Sequence, residues 1–105
     1  MRFTSYLQDG NLTVALTGEI DHHCAKHYIR AIGGKVEAYT PSVCILDFSQ
    51  VTFIDSSGVA VVINALRNMK AIGGRLELTG IGAQPMKVFR AAGIDKIIEI
   101  REVAI

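Results

Sequence analysis

The chain has 105 residues, half of them hydrophobic, with 11 basic and 10 acidic residues and a formal net charge of +1. This length predicts one domain over residues 1–105, and the balanced charge without a basic block argues against nucleic acid or an anionic membrane as partner. No apolar run approaches the ~20 residues that span a bilayer, and the N-terminus lacks the apolar core of a signal peptide. We therefore expect a cytoplasmic protein.

Two strands and a helix are predicted first along the chain. Residues 2–7 contain β-formers, and apolar and smaller residues alternate over residues 12–17, with a tight turn at Asp9-Gly10 between them. These strands should form an antiparallel hairpin, after which residues 18–21 are expected to leave the sheet. Asp21 is a good N-cap for a helix from residue 22 to about residue 39.

Gly33-Gly34 leaves the course of this helix open. Two glycines inside a helix cost about 2 kcal/mol relative to alanine. The apolar stripe nevertheless continues to Val36, and Pro41 ends the segment. The alternatives are a continuous helix and one that kinks or ends at the glycine pair.

The middle of the chain predicts a buried strand and a second helix. Residues 43–48 are apolar almost throughout, which indicates a strand buried on both faces at the centre of a parallel sheet, followed by a linker at residues 49–52. The helix beyond Ser57 should end near Gly73, a typical residue after a helix C-terminus. Its predicted apolar stripe, which leaves Val61 and Ala65 outside, contains Val59, Val62, Ile63, Leu66 and Met69.

The last third of the chain predicts a strand, a helix and a final strand. Residues 75–79 alternate, and Pro85 suits the first turn of a helix that carries Met86, Phe89 and Ala92 toward the core. Isoleucines at residues 97, 98 and 100 indicate the last strand. The order β-β-α-β-α-β-α-β predicts an α/β fold with a mixed, mainly parallel sheet and an N-terminal antiparallel hairpin.

The segment Asp55-Ser56-Ser57-Gly58 is the strongest candidate for a functional site. It joins the predicted central strand to a long amphipathic helix, and Asp and Ser are favoured helix N-caps. The segment should therefore lie at the surface, where backbone N–H groups and the positive end of the helix dipole converge. A plain N-cap is one interpretation; a hydroxyl placed to be recognised or modified is the other.

Three enzymatic interpretations have weak support. The phosphate-binding motifs G-x-G-x-x-G and G-x-x-x-x-G-K-[ST] are absent, and Ser56 lacks the G-x-S-x-G context of a hydrolase nucleophile. His23 and His27 share a helix face with Asp21 or Cys24 nearby, but H-E-x-x-H is absent, so a solvated helix face is the simpler interpretation. We predict no catalytic residue, cofactor or metal, and keep a small metal-dependent hydrolase only as an alternative.

A phosphorylation switch at Ser56 needs no catalytic group in this chain. Phosphate would add a charge of roughly −2 at the helix N-terminus. Asp55 is next to it and would repel the phosphate, so the helix end should not simply absorb the added charge. Phosphate projecting from this corner could release a docked protein.

Four segments together resemble the anti-sigma factor antagonists of the STAS domain family over essentially the whole chain. In chain order they are Leu16 to His23, Phe53 to Val59, Ile72 to Leu76 and Val88 to Ile94. The double histidine after Asp21 is most similar to the sporulation branch. The resemblance implies a mixed sheet with a hairpin edge and helices largely on one face.

The resemblance also implies a function and a set of site residues. Ser56 would be phosphorylated by an anti-sigma factor with serine kinase activity, and a PP2C-type phosphatase would reset it. The unphosphorylated form would bind the anti-sigma factor and release a sigma factor. Asp55 and Asp21 would serve docking, and Ser57 and Gly58 would form the turn that follows. An alternative is a STAS module of another stress or regulatory complex.

Overall fold

The structure, a computed structural model, describes residues 3–101, in which five strands form one sheet and lie side by side in their chain order. The first pair of strands is antiparallel and the other three pairs are parallel, which confirms the predicted α/β fold with a hairpin edge. The elements are β1 (Phe3–Gln8), β2 (Asn11–Ile20), α1 (His22–Tyr39), β3 (Val43–Ile54), α2 (Ser56–Ala71), β4 (Arg75–Thr79), α3 (Ala83–Ala91), a 3-10 turn (Ile94–Lys96) and β5 (Glu99–Arg101).

The hairpin turn has the predicted residues in the predicted place. Asp9 and Gly10 both have positive φ, 53° and 80°, as a two-residue type I′ turn requires. Asp is one of the few side chains that tolerate this backbone region, and Gly has no Cβ to clash. The register is thereby fixed, with Gln8 opposite Asn11 and Phe3 opposite Leu16.

Strands β2 and β3 are longer than predicted. Residues 18–20 stay in the sheet, and the predicted linker at residues 49–52 is part of β3. Two register shifts in the β2–β3 ladder break the period-2 pattern here, so that Val51 and Ile54 face the core while the residues between them are exposed. The sequence of this part therefore looks like a polar linker although it is a strand.

The helices cover one face of the sheet, and the prediction that β3 is buried on both faces is wrong. Alternate residues of β3, such as Cys44 and Leu46, are fully buried on the helix side, while Val43 and Ile45 on the other face are half-buried. On that open face the carboxylate of Glu77, only 4% exposed, is paired with Arg75 at 2.9 Å and Arg101 at 3.2 Å.

Helix α1 runs through the glycine pair without interruption, which settles the alternative left open by the sequence. It packs against α2, and a Cβ on Gly33 would lie only 3.1 Å from Nδ2 of Asn68. Glycine at this position therefore lets the two helices approach closely. Gly34 has open space around it, so packing does not require glycine there and nothing offsets its low helix propensity.

Helix α2 buries a different stripe from the predicted one. Val61 and Ala65, predicted to be exposed, are buried with Val62 and Met69, while Val59 is only half-buried. Gly58 packs directly against Ile54 of β3, and the buried stripe of α2 continues from it through Val61 and Ala65. Its end is as predicted: the N–H groups of Gly73 and Gly74 donate to the carbonyls of Lys70 and Met69, the Schellman arrangement.

Helix α3 and the segment after it agree in part with the sequence pattern. Pro85 lies in the first turn of α3, and Phe89 is fully buried with its ring edge-on to Phe48. Ala92, predicted to face the core, is exposed, and so is Ile97, which precedes the short strand β5. Within residues 3–101, no helix is long and apolar enough to cross a membrane.

Candidate functional site

Ser56 is the first residue of α2 and is exposed, while Asp55 before it is the N-cap. The Asp55 carboxylate accepts a hydrogen bond of 2.7 Å from the N–H of Ser57, and its carbonyl accepts one of 3.0 Å from the N–H of Gly58. Asp55 is therefore the residue that caps α2. Ser56 is left with a free hydroxyl, since no hydrogen bond holds its side chain within residues 3–101.

Gly58 lies in the first turn of α2 rather than in a turn before it. It is buried, and a Cβ at this position would lie 2.8 Å from Cβ of Ile54. Carbon atoms at such a distance clash, so only glycine lets the start of α2 rest this closely on the end of β3. This contact fixes where Ser56 emerges at the surface.

A second capped helix begins beside the first. Ile20 and Ile54 are partners in the β2–β3 ladder, and the next residues, Asp21 and Asp55, cap α1 and α2. The N–H of Asp55 donates to the carbonyl of Ile20 at 3.2 Å, which ties the two corners together. The structure thus brings Asp21 to the same edge of the sheet as Asp55 and Ser56.

Asp21 favours its ionised form. Desolvation raises its pKa, but backbone N–H groups at His23 and Cys24 and the charge of the neighbouring His23 outweigh that effect, so that the pKa of Asp21 lies below 3.8. The hydrogen bond from the His23 N–H to the carboxylate is 2.9 Å long. A negative charge is therefore held near Ser56 at neutral pH.

Gln84 contributes to this corner and was not predicted from the sequence. Its side-chain amide both donates to the carbonyl of Ile54 and accepts from the N–H of Ile54, each at 2.9 Å. Gln84 lies in the first turn of α3, 30 residues away along the chain. No local pattern marks a glutamine that binds backbone so far away in sequence.

A groove opens between the start of α2 and α3. Its volume is about 520 Å³ and its surface is mostly apolar. Apart from Asp55 and Ser56 at one end, the lining residues are Val59, Lys87, Val88, Ala91 and Ala92. The half-buried Val59, which the shifted stripe of α2 leaves outside the core, is part of this groove.

The histidines do not form a catalytic arrangement with Ser56. The rings of His22 and His23 lie with centroids 3.9 Å apart at a tilt of 37°, and the centroid of the His27 ring lies 6.0 Å from that of Phe3. Within residues 3–101, no three His, Cys, Asp or Glu side chains are placed to hold a metal ion. The metal-dependent hydrolase alternative thus has no assembled site in this part of the chain.

The chain belongs to the STAS domain family, whose model matches residues 2–103. It is 30% identical over 83 residues to the anti-sigma F factor antagonist of Lysinibacillus sphaericus, covering 79% of this chain and 71% of that protein. It is also 27% identical over 96 residues to the anti-sigma-B factor antagonist of Listeria monocytogenes, covering 89% of this chain and 81% of the relative.

Among solved structures, the fold is similar to that of SpoIIAA, the Bacillus cell fate determinant, in its phosphorylated form. The TM-score is 0.77 at 25% sequence identity, over 98% of this chain and 92% of the other. The resemblance to STAS anti-sigma factor antagonists is thereby confirmed.

Proposed function

We propose that this chain, as a single domain over residues 1–105, is an anti-sigma factor antagonist that is switched by phosphorylation of Ser56. The unphosphorylated form binds an anti-sigma factor with serine kinase activity and so releases a sigma factor. Phosphorylation abolishes binding, and a PP2C-type phosphatase restores it. This role needs no catalytic residue, cofactor or metal in the chain, and its place is the cytoplasm.

The observation that carries the proposal is the exposed hydroxyl of Ser56 at the first position of α2. It is exposed and so can enter another protein's active site, and within residues 3–101 no side-chain base hydrogen-bonds to it. The names of the relatives, antagonists of anti-sigma F and anti-sigma-B factors, and the phosphorylated form of SpoIIAA support this function.

The capping geometry explains how phosphate would act. A helix N-terminus usually stabilises a bound phosphate, because free backbone N–H groups donate hydrogen bonds to it. At α2 the Asp55 carboxylate already takes the N–H of Ser57, and the Asp55 carbonyl takes that of Gly58. A phosphate of roughly −2 charge on Ser56 would therefore find these two N–H groups already bonded, add to the negative charge of Asp55 and Asp21, and repel an acidic partner surface.

The residues around this corner would form the docking surface for the anti-sigma factor. Asp21, Asp55, Ser56 and Ser57 lie at one edge of the sheet and offer carboxylates and hydroxyls to the anti-sigma factor. Gly58 is buried, so it contributes by seating α2 on Ile54 and not by direct contact.

The test combines phosphorylation with binding. The protein is incubated with its cognate anti-sigma kinase and ATP, and mass spectrometry should locate phosphate on Ser56 alone. Ser56→Asp should weaken binding to the anti-sigma factor by more than about 1.4 kcal/mol, a tenfold change, whereas Ser56→Ala should bind but not switch. Ser42→Asp adds the same charge at an exposed serine just before β3, at the opposite end of that strand, and should leave the affinity unchanged. Phosphate at another residue, or full affinity in Ser56→Asp, would refute the proposal.

A further inference from the structure

Strand β3 extends beyond its neighbour on one side. β4 pairs with residues 43–47 only, while β2 follows β3 as far as Ile54. Toward the β4 side, the backbone of the last residues of β3 therefore has no strand partner within residues 3–101. A strand end with one free edge is normally a place where the chain frays.

The Gln84 amide occupies that edge at the residue before the Asp55 corner. Its two bonds of 2.9 Å satisfy both the N–H and the C=O of Ile54, as a neighbouring strand would. The opposite edge is held by the bond from the Asp55 N–H to the Ile20 carbonyl. The end of β3 is thus fixed from both sides, from one of them by a single side chain.

Ile54 passes this restraint on to Ser56. Its side chain is fully buried and lies directly under Gly58 in the first turn of α2. Gln84 itself lies in the first turn of α3, and α3 forms the far wall of the groove that Ser56 lines. The position of Ser56 relative to α3 therefore depends on the bond between Gln84 and Ile54.

We propose that Gln84 is a positioning residue that holds the Asp55–Ser56 corner and the α3 wall of the groove as one rigid recognition surface for the kinase. This rests on the proposed function of Ser56. Gln84 acts through Ile54, because both of its side-chain hydrogen bonds go to the Ile54 backbone. Without Gln84, the Ser56 hydroxyl is chemically unchanged but is presented to the kinase in many orientations.

The first part of the test uses the protein alone. Gln84→Leu keeps the size of the side chain but loses both bonds, and should speed amide hydrogen exchange at Ile54 at least about tenfold, since local opening governs exchange at this edge. The N–H of Leu46, in the middle of the sheet, should not change. Unaltered exchange at Ile54 would overturn the proposal, whether or not any kinase acts on Ser56.

Gln84→Glu provides a rescue that a purely space-filling residue would not show. Its carboxylate can accept from the Ile54 N–H at pH 7.5 but repels the Ile54 carbonyl. Below about pH 4.3 the carboxyl group carries a proton and can make both bonds. Protection of Ile54, relative to Leu46, should therefore be low at neutral pH and recover in acid in this variant alone. No recovery would contradict the two-bond role.

The second part measures phosphorylation of Ser56 by the cognate kinase. Gln84→Leu should lower kcat/KM at least about tenfold, mainly through KM, because a misplaced nucleophile weakens productive docking. Gln8→Leu makes the same chemical change at an exposed site on β1 and should stay within about twofold of wild type. Equal kinetics for Gln84→Leu and wild type would refute the positioning role, while no phosphorylation of wild type would refute the proposed function and leave the exchange result to decide on Gln84.

Discussion

Two glycine-to-alanine substitutions should change stability in opposite directions. Gly34→Ala places a methyl group in open space in the interior of α1 and should stabilise the protein by about 1 kcal/mol through helix propensity. Gly58→Ala places its methyl group 2.8 Å from Cβ of Ile54. The obstacle is attached directly to a backbone held on both edges, so it cannot move aside.

The cost at Gly58 follows from that rigidity. Overpacking costs about 1–3 kcal/mol. Because the Cβ of Ile54 cannot move away, we expect a destabilisation near the upper end of this range. A propensity gain of at most about 1 kcal/mol offsets part of it, which leaves a net loss of about 2 kcal/mol.

Thermal and urea denaturation of the two variants and wild type would measure this contrast. A domain of this size shifts its Tm by about 4–8 °C per kcal/mol, so Gly34→Ala should melt above wild type and Gly58→Ala well below it. A Gly58→Ala variant as stable as wild type would refute the close packing of α2 on β3. A destabilised Gly34→Ala would refute the open surroundings of that glycine.

Further predictions follow from the caps, the buried thiol and the exposed aromatic ring. Asp55→Ala should lose about 1 kcal/mol in urea denaturation and Asp55→Asn much less, because Asn still accepts from the Ser57 N–H; equal losses would contradict the cap. The pKa of Asp21 is lowered from 3.8, so its charge stabilises the fold above that pH and the stabilisation is lost as pH falls through the folded-state pKa. The urea midpoints of wild type and Asp21→Asn should therefore differ at pH 7 and converge in strong acid. A difference between the midpoints that stays constant with pH would argue against ionisation as the cause. Burial raises the pKa of Cys44 to about 12, so a thiol reagent at pH 8 should modify Cys44 only in denaturant, and fast labelling of native protein would contradict this. Phe53, two residues before Asp55 and 43% exposed, should contribute to docking. Phe53→Ala should weaken anti-sigma binding about tenfold with little change in Tm, and a large drop in Tm would instead indicate a packing role.

The parts of the fold that local patterns encode were predictable. Asp9-Gly10 specifies its turn through positive φ, and Asp21 and Asp55 precede apolar stripes in the way N-caps do. The end of β3 was not predictable, because register shifts in the ladder with β2 leave polar residues exposed where alternation would be expected. A sequence window cannot contain the partner strand that produces this pattern.

The residues of the candidate site divide in the same way. The cap at Asp55 and the exposed position of Ser56 were predictable because the signal lies within a few residues. Gln84 was missed because its partner is the backbone of Ile54, and backbone atoms leave no trace in side-chain identity. Val61 was misplaced because both sides of α2 carry small apolar residues, so the period alone does not say which side the sheet covers.

The corner around Ser56 is assembled from parts that are distant in sequence: the end of β2, the end of β3 and the start of α3. Such long-range pairings are slow to form, because the intervening chain must first be ordered. A short peptide around Ser56 would contain the same hydroxyl but none of the neighbouring surface. A kinase that recognises this surface would therefore phosphorylate only fully folded chains. Nascent or damaged copies would neither occupy the kinase nor change the state of the switch.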